Sequence, residues 1–363
     1  MALSKKQILD ALRPIQDPDL GRSIVDLDFI KRIEINKGEV SFDLVLTTPA
    51  CPVREIFKRS CEDAVSKLAG VTQVNVTLKA ETRGAPLAGR QVLESVKNVI
   101  AVASGKGGVA KSTTAVNLAV CLQQSGASVG LLDADIYGPS VPTMVAIDEE
   151  PATTADGKII PASGLGLRLI SMGFFLPPGK AAILRGPMVS GYITQFLSNV
   201  EWGELDYLII DYPPGTGDVQ LTLSQQAAVT AAILCTTPQK IALVDVQKAV
   251  SMFDTTKVPV LGVVETMSYF LCDQCEKEHH IFGSGGGQRI ADSVGVPLLG
   301  RIPIDPRVVT GGDTGSPIVK EEPSSPAAKA YAEVTGAMAA QLSVLNLGDD
   351  AGALANFSLD WEA

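Results

Sequence analysis

Histidine is nearly missing from this chain of 363 residues: there are two, His279 and His280, side by side. Chemistry built on several dispersed imidazoles is therefore not expected. No apolar run approaches the ~18 residues of a membrane-spanning helix, which argues against a membrane protein. Basic charge is in deficit, with 30 Lys and Arg against 40 Asp and Glu for a net charge of −10. General binders of nucleic acid or anionic membrane need a basic face, so neither partner is expected. The opening MALSKKQILDALRPIQDPDL has no apolar core and carries acids early, unlike a signal or transit peptide. A cytoplasmic protein is the expectation. Cysteine is sparse as well. Cys51, Cys61, Cys121, Cys235, Cys272 and Cys275 are the only thiols, and in a cytoplasmic chain they should be reduced rather than form a disulfide framework.

What the chain has in quantity is aliphatic side chains. At 46% hydrophobic it is too apolar for wholesale disorder and long enough for two or three domains. Residues 1–80 read as a small α+β unit. SKKQILDALRPI has helical spacing, KRIEI and EVSFDLVLTT alternate as strands around Lys37-Gly38, CPVREIFKRSCEDAVSKLAG is an amphipathic helix ending at Gly70, and TQVNVTLKAE is a third strand. Residues 81–97 break the pattern with Gly and Pro and read as a linker. From 98 to 345 the pattern changes to unalternating apolar runs: VIAVAS, SVGLLDAD, LDYLIID, AAILCTT, PVLGVVET and PLLGRIP. Such runs suit strands buried on both faces, so the fold class is α/β, a mostly parallel sheet flanked by helices. Residues 346–363 are acidic, weakly patterned and read as an extension.

Directly after the strand VIAVAS comes Gly105-Lys106-Gly107-Gly108-Val109-Ala110-Lys111-Ser112-Thr113, then a helix. Strand, glycine loop, helix is the context of a phosphate loop. Backbone N–H groups and the helix N-terminus hold phosphates, Lys111 neutralises β/γ charge, and the Ser112 hydroxyl ligates Mg²⁺. A glycine turn of any α/β fold is the bland alternative. Two further elements decide against it. Asp211 ends an apolar strand, where a Walker B acid orients Mg²⁺. Asp133 and Asp135 leave another strand into a turn, and Asp135 is placed to reach a water attacking the γ-phosphate. One departure is Ala110, where the standard pattern has Gly; a methyl group there crowds the loop and narrows its backbone options.

Cys272 and Cys275 form a C-x-x-C in a loop after a strand. Two thiolates cannot complete a tetrahedral site, whereas a homodimer supplies four, enough for one Zn²⁺ or one [4Fe–4S] cluster. A redox pair or an exposed turn are the alternatives, and Cys₄ geometry does not separate zinc from iron–sulfur. His279 and His280 are expected in solvent rather than as ligands. Cys51, in Thr48-Pro49-Ala50-Cys51-Pro52, stands at a strand-to-helix junction where a helix N-terminus lowers a thiol pKa; a small buried residue is the alternative. Asp17, Asp19 and Asp26 read as turn and cap residues, and Cys61, Cys121 and Cys235 as core.

KGGVAKST with its Lys106, DADIYGPSVPTM and DYPPGTGDVQLTLSQ resemble the deviant-Walker-A ATPases related to MinD, and VVETMSYFLCDQC followed by HIFGSGGG resembles the Mrp/ApbC iron–sulfur carriers among them. The resemblance covers about 95–343. Residues 1–80, with DPDLGRSIVDL and LTTPACP, resemble the PaaD-type assembly domain, in which Cys51 would be a functional thiol. The resemblance implies an ATP-sandwich homodimer that binds a bridging, labile [4Fe–4S] cluster at Cys272 and Cys275, receives it from an Fe–S assembly scaffold and passes it to apo iron–sulfur proteins. Lys106 would reach the partner subunit's phosphates, as a catalytic residue beside Lys111 and Asp135. Gly215 to Asp218, with Gly217, would sense the γ-phosphate. Relatives carry Asn where this chain has Thr266, at a position that helps read adenine. A MinD- or ParA-like positioning ATPase is a second hypothesis; it wants a basic C-terminal helix, and the tail here is acidic. A scaffold with impaired nucleotide binding, motivated by Ala110, is a third.

Overall fold

The computed structural model describes residues 3–51, 53–84, 92–177 and 186–347. The middle of the expected linker and all but two residues of the expected tail lie outside the described residues. The N-terminal unit opens with α1 (Lys5–Leu12), started by a capping box in which Ser4 N donates to Gln7 Oε1 at 2.9 Å and Gln7 N to Ser4 Oγ at 3.4 Å. β1 (Ile30–Asn36) and β2 (Glu39–Leu46) pair antiparallel around Lys37-Gly38. Both turn residues have positive φ, 49° and 96°, as a tight hairpin requires. A Cβ on Gly38 would fall 2.7 Å from the Gly70 carbonyl oxygen, so the turn admits no larger residue. α2 (Arg54–Ser66), which stops four residues before Gly70, covers the sheet, and β3 (Gln73–Ala80) runs parallel to β2. Phe29, Phe42, Leu44, Phe57 and Val65 fill this core.

The larger unit is built on β4 (Val96–Ser104), β5 (Val129–Asp133), β6 (Ala162–Gly164), β7 (Leu167–Ser171), β8 (Leu205–Asp211), β9 (Ala231–Thr236), β10 (Val260–Glu265) and β11 (Leu298–Arg301). Across the sheet the order is β11-β10-β9-β4-β8-β5-β7-β6. Every pair is parallel except β6 with β7, an antiparallel edge. All six apolar runs of the sequence are strands; β6 and β7 escape such a reading because they are short and turn at Leu165-Gly166. One face carries α4 (Gly186–Ser198), α5 (Asp218–Gln226), α6 (Lys240–Thr255) and α7 (Gly286–Val294). The other carries α3 (Lys111–Gln124) and the long α9 (Pro326–Leu347), with α8 (Pro306–Asp313) beside them. Among the described residues no helix is long and apolar enough to cross a membrane.

The two units meet where the strands of the larger sheet begin. Tyr207 OH donates to Thr48 Oγ1 at 3.0 Å, and Thr47 Oγ1 lies 2.9 Å from Ser343 Oγ. Asn98 and Asn346 both donate to the Arg83 carbonyl at 3.0 Å. Residues at the margins of the expected linker are therefore packed: Thr82 is buried, and Leu93 and Val96 enter the core of the larger unit. The opposite edge, where parallel strands end, is left open for a ligand.

Candidate functional site: a phosphate loop and a cysteine hairpin

β4 lies between β9 and β8, so the loop that follows it stands at the middle of the open edge. Gly105 begins the loop against α6. A Cβ there would fall 2.2 Å from the Asp245 carbonyl carbon, so only glycine permits this packing. Ser104 Oγ donates to the Lys106 carbonyl at 2.9 Å. Gly107 and Gly108 are exposed, Val109 is buried, and Ala110 enters α3 in the left-handed region with φ 53° and ψ 32°. Thr114 Oγ1 donates to the Ala110 carbonyl at 2.8 Å and holds that conformation. Thr113 is half-buried beside it.

Lys111 forms an ion pair with Asp211, the two side chains 7% and 0% exposed, and reaches Ser112 Oγ at 3.3 Å. Burial pushes the Asp211 carboxyl above the usual carboxylate range, against the opposing pull of Lys111. Its second oxygen, Oδ2, is buried without a hydrogen-bond partner. A partnerless carboxylate oxygen near a serine hydroxyl is the hard-oxygen donor set that Mg²⁺ selects, so these residues fit the ion.

The two acids of the DAD turn divide their work. Asp133 is fully buried and accepts from Ser171 Oγ at 2.9 Å, Asp135 N and Ser140 N at 3.1 Å and Val141 N at 3.2 Å. It ties the turn together, and burial followed by the nearby Asp211 raises its pKa. Asp135 is half-exposed, accepts from Gly138 N at 3.2 Å and lies close enough to Asp211 to raise that acid in turn. Lys106 is half-buried with Nζ 3.5 Å from Gln239 Oε1 of its own chain. Gly215 has φ 91°, and Gly217 donates to Gln220 Oε1 at 2.8 Å at the start of α5. Gln220 also donates to the carbonyls of Pro213 (3.3 Å) and Pro214 (2.8 Å), fixing this loop. Sequence reasoning missed Gln220, although a Gln three residues into a helix is a capping signal. Thr266 is fully buried behind the phosphate loop, its Oγ1 2.9 Å from both the Val109 and Thr236 carbonyls.

The cysteine pair sits on a hairpin of Phe270–Leu271 and Glu278–His279. Cys272 N donates to the Lys277 carbonyl and Glu276 N to the Cys272 carbonyl, at 3.0 and 2.9 Å. Backbone N–H groups of Gln274 and Cys275, then the Cys275 thiol, hydrogen-bond the Cys272 sulfur and lower its pKa. N–H donors aimed at one sulfur favour the thiolate, the form that binds metals. Cys275 and His279 are exposed, and Ile281 and Phe282 add exposed apolar surface. Among the described residues no group of three or more His, Cys, Asp or Glu is arranged to hold a metal ion within one chain.

Of the two readings of Cys51, the structure favours the packed thiol over the acidic one. Its thiol is pushed up to about 11, chiefly by burial, which outweighs a backbone hydrogen bond from Val53; Asp17 and Asp19 add smaller pushes upward and Arg54 a small pull downward. α2 starts only at Arg54, so the helix terminus does not offset the burial. Asp17 accepts from Asp19 N and Leu20 N at 2.9 Å, and Asp26 pairs with Arg13, as turn and surface residues.

The parallel sheet, the glycine loop and the Lys111–Asp211 pair define a P-loop NTPase. The chain belongs to the family described as NUBPL iron-transfer P-loop NTPase, whose family model matches residues 95–339; residues 5–77 match the iron-sulfur cluster assembly protein family. It is similar to an iron-sulfur cluster carrier protein of Synechocystis, 47% identical over 351 residues that cover 95% of this chain and 99% of that one. A chloroplastic Fe-S cluster assembly factor of Arabidopsis thaliana is 48% identical over 337 residues, 91% of this chain and 63% of the plant protein. Among solved structures, a nucleotide-binding protein in complex with ADP from Archaeoglobus fulgidus has TM-score 0.56 and 37% identity, covering 65% of this chain and 92% of that one. The cell-division ATPase MinD of Pyrococcus furiosus, at 21% identity and TM-score 0.51, shares the fold.

Proposed function

We propose that this protein is an ATP-hydrolysing iron–sulfur carrier of the cytoplasm. Two copies hold one labile [4Fe–4S] cluster between the Cys272 and Cys275 of each, take it from an assembly scaffold and give it to apo-proteins. The observation that carries the reading is the hairpin turn that brings Cys272 and the exposed Cys275 together, closed by Cys272 N on the Lys277 carbonyl and Glu276 N on the Cys272 carbonyl. It presents two free thiols at the surface, yet one chain offers two where a [4Fe–4S] cluster wants four. A second copy supplies the rest, and Ile281 and Phe282 offer apolar surface beside the pair.

ATP binds by its phosphates to the N–H groups of Gly105–Ser112. Lys111 turns from Asp211 to the phosphates, and Lys106 reaches those of the partner subunit. Ser112 and Asp211 are the residues that would hold Mg²⁺, which supplies charge neutralisation on the phosphate oxygens when bound. Asp135 orients the attacking water and Asp133 holds Asp135 in place. Gly215 and Gly217, fixed by Gln220, sense the γ-phosphate. Thr266 stands behind the loop as its support.

Anaerobic reconstitution with iron and sulfide tests the carrier reading. The expected result is four iron and four sulfide per dimer, with dimerisation that depends on the cluster. A Cys272→Ser/Cys275→Ser chain that takes up the same iron would refute the site, and a monomer holding a full cluster would refute the bridge.

A further inference from the structure

Residues Glu265–Ser268 join the phosphate loop to the cysteine hairpin. At one end, Thr266 Oγ1 lies 2.9 Å from the Val109 carbonyl of the loop, while Thr266 N donates to the Thr236 carbonyl at 2.8 Å. At the other end, Ser268 Oγ donates to Glu265 Oε1 and Gly287 N to Glu265 Oε2, each at 2.5 Å. Ser268 N also donates to the Ile302 carbonyl at 2.9 Å. Glu265, Thr266 and Ser268 are buried to within 1% of complete. Between the two ends Met267 holds φ 51°, a left-handed backbone that disfavours a residue with a side chain. Four residues beyond Ser268 stands Cys272, and the Ser268 carbonyl lies 3.5 Å from Nδ1 of His280, the residue that follows the return arm of the hairpin.

A nucleotide must grip the loop that Thr266 touches. A phosphate that recruits Lys111 must draw it from Asp211, and any shift of the loop around that phosphate moves the Val109 carbonyl that Thr266 holds. The Thr266 hydroxyl, whose one proton lies between the Val109 and Thr236 carbonyls, then either releases the buried Val109 carbonyl or follows the loop. Leaving that carbonyl without its donor is costly, so following is favoured. The strained Met267 joint and the Ser268 ties pass that displacement to the hairpin.

We propose that Thr266 and Ser268 are positioning residues that transmit nucleotide occupancy to Cys272 and Cys275 and change the accessibility of both thiols. The inference rests on the proposed function in taking those thiols as the cargo site. Coupling of this kind is reciprocal, so thiol occupancy should also alter nucleotide affinity.

The test is the rate at which N-ethylmaleimide alkylates each cysteine of the full metal-free chain, read peptide by peptide by mass spectrometry. Each variant is measured without nucleotide and with Mg-ADP or a non-hydrolysed Mg-ATP analogue at about tenfold its own Kd, so that weakened binding is compensated. In the wild type, nucleotide should change the Cys272 and Cys275 rates roughly fivefold, the lower range of site-to-site coupling. Cys51, at the opposite edge of the sheet, should not respond. Thr266→Ser should keep the response, and Thr266→Val and Ser268→Ala should each abolish it. Thiol rates indifferent to saturating nucleotide in the wild type would overturn the proposal, as would a full response in Ser268→Ala, which decides the matter if Thr266→Val does not fold. A responding chain that takes up no iron would refute the carrier reading and leave this coupling standing.

Discussion

Ala110 carries a methyl group where the backbone turns through the left-handed region, φ 53°. That conformation costs a residue with a Cβ about 1 kcal/mol or more relative to glycine. Ala110→Gly should therefore raise the Tm by roughly 2–4 °C and bind Mg-ATP at least as well; a lower Tm would show that the loop has adapted to the methyl group. Ser112→Ala should lose most Mg-nucleotide affinity without a large change in stability. It is the cleaner probe, because removing Lys111 strands the buried Asp211 at a cost of about 3–5 kcal/mol. Asp135→Ala should spare binding and slow hydrolysis on the order of 100-fold, the usual contribution of a positioned acid–base group; unchanged turnover would refute its role. Cys51 makes a pH prediction. With its thiol at about 11, the thiolate fraction at pH 8 is about 0.1%, so Cys51 should alkylate far more slowly than Cys272 at that pH. The folded thiol keeps its proton after the unfolded one, at 9.0, has lost it. Stability from this group is therefore complete below pH 9 and lost as pH rises towards 11.

The hairpin of Phe270–His279 is the element on which the carrier reading depends. Its C-x-x-C was legible because the two cysteines are neighbours in sequence. The lowered pKa of the Cys272 thiol was not, since it depends on the folded turn placing neighbouring N–H groups near the sulfur. Cys272→Ser or Cys275→Ser alone should abolish stable iron uptake, because a hydroxyl is a poor substitute for a soft thiolate. Nucleotide affinity should change no more than about fivefold, the lower bound of coupling between distinct sites. Calorimetric titration with Mg-ADP beside an iron count checks both halves; loss of nucleotide binding in either variant would mean that the hairpin supports the phosphate loop directly. α2 teaches a related lesson. Its apolar spacing announced a helix, but its true start at Arg54 rather than near Cys51 reverses the expected effect on the Cys51 thiol.

Across the whole molecule, the two units are joined by a few buried polar contacts. Tyr207 OH is committed to Thr48, which also accepts from Ala50 N at 3.1 Å in the loop that leads to Cys51. Tyr207→Phe removes that donor and should destabilise the protein by about 1 kcal/mol. Thermal unfolding of the full chain measures it, with faster Cys51 alkylation as the accompanying sign that the loop has loosened. An unchanged Tm would mean that the contact between the units contributes little. The arrangement also separates functions in space. The phosphate loop lies at the edge where the parallel strands end, and the assembly unit lies at the edge where they begin.

The amino-acid order by itself determined the α/β class, six sheet strands, the phosphate loop and the cysteine pair. Those signals are local: apolar runs mark strands buried on both faces, and glycines, a lysine and a serine at set spacing mark a loop on a helix N-terminus. Only the tertiary structure decided what distant residues do to one another. It gave Asp133 to the turn and left Asp135 towards Asp211, buried Thr266 behind Val109 and placed Gln220 against the Pro213–Gly217 loop. It also raised the Cys51 thiol where helix position alone argued for lowering it. In each case the deciding quantity is burial or a hydrogen bond between segments far apart in the chain, and neither exists until the chain has folded.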